Sequence, residues 1–340
     1  MASPSGELAQ LVRDGLKCLQ LSGALFVRAH LTRPWAYHSP ELERLQRMLK
    51  PGDRRIILFH IITEGSCQAT LNESGDEAEV SAGDIIILPF ADQHTVGDPR
   101  PVSPVDLSAL MPPPPWTSLP VITYGGGGPT TTILCGYLLS DDAPLNPVLA
   151  SLPRFMRVRG AQGPLARWVE SSVQYAMHAS EGRAGTDDPV LMRLPELLFM
   201  ESLCEFVRQE PPRGGWLAGL SDPIVGRALG CMHSQPGHPW TLKELSRRTA
   251  ASRSTLDERF RLFLGRAPMS YLIAYRLQLA GRQLRSTNAT LAEIAEVVGY
   301  GSEAAFSRAF KRHTGATPGE WRLGATLRRR AERGAAGVLQ

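Results

Sequence analysis

The apolar positions of this chain change period part-way along. Between residues 54 and 140 they run in short continuous blocks: Arg54-Arg-Ile-Ile-Leu-Phe-His-Ile-Ile-Thr63, then Ser66 to Leu71 after a Glu64-Gly65 turn, then Asp84 to Leu88 between Gly83 and Pro89. Apolar and β-branched blocks closed by glycine and proline predict buried strands. The connections carry the same punctuation, as in Met111-Pro-Pro-Pro-Pro-Trp116 and Gly125-Gly-Gly-Gly128-Pro129, which favours a small sandwich or barrel. From residue 165 the period becomes helical. Leu165, Trp168, Val169, Val173, Ala176 and Met177 form one stripe, and Asp188-Pro189 opens a second helix, Val190 to Val207. That helix is apolar around most of its circumference (Leu191, Leu194, Leu197, Leu198, Leu203, Phe206) and needs cover on more than one side. Either a second subunit or an intramolecular helix pair would supply it. Pro195 predicts a kink.

Between Thr241 and Pro318 one pattern is written twice. Thr241, Glu244, Leu245, Ser252, Leu256, Phe260, Gly265 and Pro268 recur as Thr290, Glu293, Ile294, Ser302, Phe306, Phe310, Gly315 and Pro318. Each copy reads as two short helices around a tight turn. Thr with Glu three residues later is a capping box that starts the first helix. A small polar break (Ala250-Ala251-Ser252, Gly299-Tyr300-Gly301-Ser302) then turns the chain and supplies a serine N-cap for the second. Such a pair is a helix-turn-helix, whose second helix enters a DNA major groove. Between the copies, Met269, Leu272, Ile273, Leu277, Ala280 and Leu284 predict a rod of roughly 18 residues, about 27 Å long. Such a rod can hold two reading helices about one DNA turn, roughly 34 Å, apart. A further helix, with Ile224, Val225, Ala228, Leu229 and Met232, leads into the repeat, and His233 and His238 read as surface histidines.

Composition changes this picture little, and charge changes it more. With 340 residues, 43% apolar and 21% charged, the chain is an ordinary globular sequence of two-domain length. Met1 to Leu31 interrupts its apolar positions with Arg13, Asp14 and Lys17, so neither a membrane span nor a secretory signal is expected. Five scattered cysteines without CxxC spacing imply reduced thiols in a cytoplasm. The net charge of +4 conceals a division. Residues 231 to 330 hold 17 Lys and Arg against 7 Asp and Glu, whereas residues 1 to 230 hold 19 against 25. The basic surface needed to neutralise phosphates belongs to the repeat.

The repeat, with Ile294-Ala-Glu-Val-Val-Gly-Tyr-Gly-Ser302 and Phe306-Ser-Arg-Ala-Phe-Lys311, resembles the double helix-turn-helix domain of AraC/XylS-family bacterial transcription regulators. Gly83-Asp-Ile-Ile-Ile-Leu-Pro89 followed by His94 resembles the second motif of cupins, which sit in front of such repeats as sensory domains. The resemblance implies an α+β chain: a cupin-like β-barrel (1–160), a helical dimerisation segment and linker (161–215) with a hinge at Glu210-Pro-Pro-Arg-Gly-Gly215, an all-α double helix-turn-helix (216–324) and a basic tail (325–340). It also implies a homodimer that binds double-stranded promoter DNA, works with RNA polymerase and answers a small-molecule, metal or oxidant effector. Carried over by position, base-reading falls on Ser254, Asp257 and Glu258 in the first copy and on Glu303, Ala304, Ser307 and Arg308 in the second. Arg308 suits guanine and the acidic pair suits cytosine. Arg253, Arg261, Lys311 and Arg312 fall at phosphate positions. Arg259, at a core-facing phase, is expected to snorkel.

In the first half, Leu58 stands where metal-binding cupins carry glutamate, and His60, two residues on, shares its face of the strand. If Thr131 to Leu139 forms a neighbouring strand, His60, His94 and Cys135 face one cavity. Two imidazoles and a thiolate would suit zinc or leave a thiol open to oxidation; two hydrogen-bonded core histidines beside an inert cysteine is the plainer reading. The resemblance extends to oxidant-responsive regulators with a cysteine in a matching Cys-Gly context, which implies a sensing role for Cys135. A cupin-type metalloenzyme fused to a DNA-binding domain, and an effector-independent DNA-binding protein, are the alternatives.

Overall fold

The computed structural model describes residues 12–13, 21–49, 51–52, 54–112, 119–140, 149, 152–160, 171–172, 174–175, 189–209 and 215–324. The stripe from Leu165 to Met177, the tail from residue 325, Cys18 and most of the 210–215 hinge lie outside them. The chain divides into two compact units, one made of Leu21–Asp141 with Leu152–Pro211 and the other containing Pro212–Gln340. Among the described residues no helix is long and apolar enough to cross a membrane.

The first unit contains eleven described strands in two sheets. One sheet has the order β11-β6-β3-β10-β1-β9, with β1 at Leu21–Thr32, β3 at Arg55–Glu64, β6 at Ile85–Leu88, β9 at Val121–Gly125, β10 at Thr130–Ser140 and β11 at Met156–Val158. The other has the order β5-β4-β7-β2-β8, with β2 at Ala36–His38, β4 at Ser66–Leu71, β5 at Glu77–Ser81, β7 at His94–Gly97 and β8 at Val105–Asp106. The expected strands over 54–63, 66–71, 84–88 and 131–139 are β3, β4, β6 and β10. Of the expected sandwich or barrel, the described strands form two facing sheets and do not close into a barrel. Several strands pass from sheet to sheet through turns, as β3 does into β4 at Gly65, and among the described residues both sheets keep free edges. Gly65 has φ +73, and a Cβ there would meet the Thr130 carbonyl oxygen at 2.3 Å.

The core joins the two sheets through Val27, Leu31, Leu58, Ile62, Cys67, Leu71, Ile86, Leu88, Val96, Ile133 and Cys135. The larger sheet is buried on its other face as well, through Ile57, Phe59, Ile61, Ile87, Leu134 and Leu138. This is why its strands read as continuous apolar blocks and not as alternation. Two short helices, α1 (Leu42–Leu49) and α2 (Leu107–Leu110), interrupt the strand order. The long helix α3 (Pro189–Gln209) packs on β1, β10 and β11. Pro195 lies within α3, which continues as one helix, and Leu197 is half exposed. Asp84, in the motif before β6, accepts from the Arg157 guanidinium at 2.8 Å and from the Gly160 amide, which pins β11 to the sheet.

The second unit is helical: α4 (Gly215–Ser221), α5 (Pro223–Ser234), α6 (Leu242–Thr249), α7 (Arg253–Leu264), α8 (Pro268–Ser286), α9 (Leu291–Val297) and α10 (Glu303–Thr314). The pairs α6–α7 and α9–α10 are the two helix-turn-helix copies, and α8 is the 19-residue rod between them. Ser252 and Ser302 cap α7 and α10 by accepting from the Thr255 and Ala305 amides. Gly265 and Gly315 end them in the left-handed region. The Thr290–Glu293 box is complete. The Thr241–Glu244 box is only half made, because the Glu244 carboxylate turns to His238 Nε2 at 3.1 Å. His233 corrects the surface reading: it is buried, stacks on Tyr275 and shares a 2.9 Å hydrogen bond with the Tyr271 hydroxyl. Arg259 is exposed, and its guanidinium donates at 2.6 Å to Asp222, the N-cap of α5.

Candidate functional site: a DNA-reading surface and a buried cavity

On α7 and α10 the core positions are Leu256, Phe260, Phe306 and Phe310, all fully buried. Helical period therefore turns the intervening residues outward. Ser254, Glu258, Glu303, Ala304 and Arg308 are exposed, while Asp257 and Ser307 are half-buried beside them. The two copies are chemically unequal. Asp257 accepts from Arg261 Nε at 2.7 Å, so an expected base-reader and an expected phosphate contact already bond to each other one turn apart. Arg308, in the place held by Glu258 in the first copy, makes no ion pair or hydrogen bond among the described residues. Arg253, Lys311 and Arg312 are exposed, the last two in the basic final turn of α10.

In the first unit, strand pairing brings His60, His94 and Cys135 together. Cys135 is the register partner of His60 across β10 and β3, after a bulge between Thr132 and Ile133 resets the pairing. His94 reaches them from β7 in the facing sheet. Cys135 Sγ lies 2.9 Å from His60 Nδ1, His60 Nε2 lies 2.7 Å from His94 Nε2, and His94 Nδ1 lies 2.9 Å from the Asp92 carbonyl oxygen. A carbonyl can only accept, so Nδ1 of a neutral His94 carries its proton and Nε2 is the acceptor. His60 must then donate through Nε2 and accept at Nδ1, which requires Cys135 to be the protonated thiol that donates to it. The Tyr37 hydroxyl stands 4.0 Å from the sulfur on its other side.

Burial keeps every member of this chain uncharged. Desolvation lowers His60 well below the usual histidine value and His94 to about 4, and raises Cys135 to about 12. The same cause raises Tyr37 well above its ordinary value and Cys67 to about 12. The expected zinc set is not made. His60 meets Cys135 through one ring nitrogen and His94 through the other, so the sulfur and the second imidazole lie at opposite edges of one ring and a single tetrahedral ion cannot take all three. Among the described residues no group of three His, Cys, Asp or Glu side chains could hold a metal ion. The trio forms the floor of a cavity of about 30 Å³ whose walls include Leu58 and whose roof is Leu45 and Leu49 of α1 and Leu107 of α2.

The cupin family matches residues 11–207, and a helix-turn-helix domain family matches residues 245–324. Over 278 residues the chain is 33% identical to a putative AraC-like transcription regulator of Streptomyces lividans, covering 80% of this chain and 88% of that one. The chain belongs to the AraC-like transcription regulators. A second AraC-like regulator, from Streptomyces antibioticus, is 32% identical over 274 residues, covering 79% of this chain and 87% of that one. The solved DNA-binding domain of AdpA, in complex with a target DNA, is similar at 30% identity, with a TM-score of 0.31, over 32% of this chain and 96% of the domain. This AraC-like regulator thus carries a DNA-binding helix-turn-helix domain behind a cupin-like one.

Three groups that stand against the His60–His94–Cys135 trio of this AraC-like regulator, besides the Tyr137 ring that lines the cavity, escaped sequence reasoning. Tyr37 sits on a three-residue strand with no periodicity to read, and the Asp92 contribution is a carbonyl, which residue identity does not advertise. Ser39, whose hydroxyl accepts from the His94 amide, is likewise set by loop geometry. The Trp35-Ala-Tyr37 run beside the first proline turn was the available signal for Tyr37.

Proposed function

We propose that the cupin-like half of this regulator decides when the helix-turn-helix half holds a promoter, and that the signal acts at His60, His94 and Cys135. The observation that carries this reading is the gathering of three polar side chains from three strands into a cavity where the strands need only apolar packing. A buried polar chain costs desolvation that leucines would not, so its presence favours a role beyond folding. Residues 1–160 serve as the sensor, 161–215 as a dimerising helical segment, 216–324 as the reader and 325–340 as a basic tail. A homodimer through the α3 segment, recruitment of RNA polymerase and work in the cytoplasm complete the proposal.

On the DNA, Arg308 reads a guanine through two hydrogen bonds, alongside Glu303, Ala304 and Ser307; Ser254, Asp257 and Glu258 supply a weaker, cytosine-directed first reader. Arg253, Arg261, Lys311 and Arg312 hold phosphates. The test is fluorescence anisotropy with an operator selected from random DNA by the full-length chain. Arg308→Ala is expected to cost about 1–3 kcal/mol and relax preference at one base pair, whereas Lys311→Ala weakens all sequences alike. Equal losses from Arg308→Ala on cognate and random DNA would make it a phosphate contact. The regulatory half is tested on the same operator with oxidants and small-molecule effectors: a change in affinity that Cys135→Ser or His60→Phe removes supports it. An affinity that no compound alters sinks it.

A further inference from the structure

We infer that the cavity under α1 and α2 takes a small uncharged hydrocarbon-like molecule, and not a sugar, an organic acid or an amine. This rests on the reading that the signal acts there, and adds its chemical class. The roof and walls, Leu45, Leu49, Leu58 and Leu107, offer neither donor nor acceptor, and Ser39 and Tyr137 bring the hydroxyls of the lining. The polar atoms of the floor are spent on one another. The Cys135 proton goes to His60, the His60 proton to His94 and the His94 proton to the Asp92 carbonyl, and the Ser39 hydroxyl already accepts from the His94 amide, so few polar groups remain for a ligand with several hydroxyls. A sugar, with several hydroxyls to satisfy, would leave most of them unpaired in a desolvated space.

Charge points the same way. Among the described residues no lysine, arginine, aspartate or glutamate lines the cavity, so neither a carboxylate nor an ammonium meets a counter-charge there. Both histidines are held neutral by burial, and Cys135, kept as a thiol, is a poor nucleophile. Where the polar groups of a cavity are already paired and its walls are leucines, an apolar guest loses least on entry.

Size then assigns a part to α1. The space is about 30 Å³ as it stands, enough for one or two waters, so a guest must lift the roof. That roof is lightly held. Of α1 only Leu45 is fully buried, its remaining residues being exposed or half-buried, and its described ion pair is Arg44 to Asp106, 3.0 Å long and near the surface at the cap of α2. Exposed pairs of this kind contribute little. Lifting α1 costs few contacts, and an apolar guest replaces them with its own.

Thermal unfolding of the full-length chain with toluene, cyclohexane, arabinose and benzoate tests this. Toluene or cyclohexane at millimolar concentration is expected to raise the midpoint saturably by about 2–5 °C, with no shift from arabinose or benzoate. Leu49→Trp, which fills the half-buried roof position, is expected to abolish the toluene shift. Should that variant fail to fold, Leu45→Ala, which enlarges the space, is expected to admit naphthalene where the parent does not. A shift from arabinose or benzoate that Leu49→Trp removes, no shift with either hydrocarbon, or a toluene shift that survives Leu49→Trp would each overturn the assignment. Operator affinity measured alongside separates the two readings. Toluene binding without any change in operator affinity removes regulation and keeps the ligand class, whereas control by a polar compound seated in the cavity removes the class and keeps regulation.

Discussion

At Cys135 a single proton decides the local energetics. Its thiol is the donor that satisfies His60 Nδ1, and with Cys135 4% exposed no water replaces it. Cys135→Val keeps the volume but orphans that nitrogen, and is expected to cost about 1–3 kcal/mol in denaturant unfolding, whereas Cys135→Ser, which still donates, costs less. An equal loss from both would show that the hydrogen bond contributes nothing. The histidines give a pH signature with a definite sign. Their folded values are depressed, His94 to about 4, so the unfolded chain binds protons first as pH falls. Stability is complete above about pH 6.5 and declines toward pH 4, with a slope approaching about 1.4 kcal/mol per pH unit for each histidine. His94→Gln should flatten that decline in acid titrations followed by circular dichroism. At this scale sequence reasoning went as far as the face shared by Leu58 and His60. It could not supply the tautomers, because those depend on a carbonyl from the Asp92 loop.

Among the elements, the two helix-turn-helix copies share a plan and differ in its execution. Where the second copy turns on Gly299 at φ +80, the first places Ala250 at φ +54, a left-handed conformation that a Cβ disfavours. Ala250→Gly relieves that strain against a smaller entropic cost, so the full-length chain should gain about 0.5–1 kcal/mol in calorimetry of the helical unit. No change, or a loss, would mean that neighbouring contacts over-determine the turn. The half-made cap at Thr241 has a similar origin, since Glu244 has a competing partner in His238 while Glu293 has none. Both copies were legible in the sequence because caps, glycines and apolar periods are local. α3 was legible only in part. Its broad apolar surface announced cover on several sides, but its first described partner proved to be the larger sheet, which left Leu197 half exposed.

For the whole molecule, the 17 basic residues between 231 and 330 set the ionic-strength dependence. The four phosphate contacts proposed at Arg253, Arg261, Lys311 and Arg312 predict a slope of about −3.6 for log affinity against log salt, which Lys311→Ala should reduce by about 0.9. A slope unchanged by that substitution would place Lys311 away from the backbone. The sequence by itself determined what depends on neighbours along the chain: two capped helix pairs on a rod, a basic reader behind an acidic half, and short apolar strands between glycine and proline turns. Tertiary structure alone decided what depends on residues far apart. The described strands form two open sheets and not a closed barrel because edge pairing is settled by how distant strands meet. His60, His94 and Cys135 form a proton-ordered chain and not a zinc site because the β3–β10 register and the facing sheet present opposite edges of one imidazole to its two partners. Composition names those three residues, and only their approach in space selects which nitrogen each one meets.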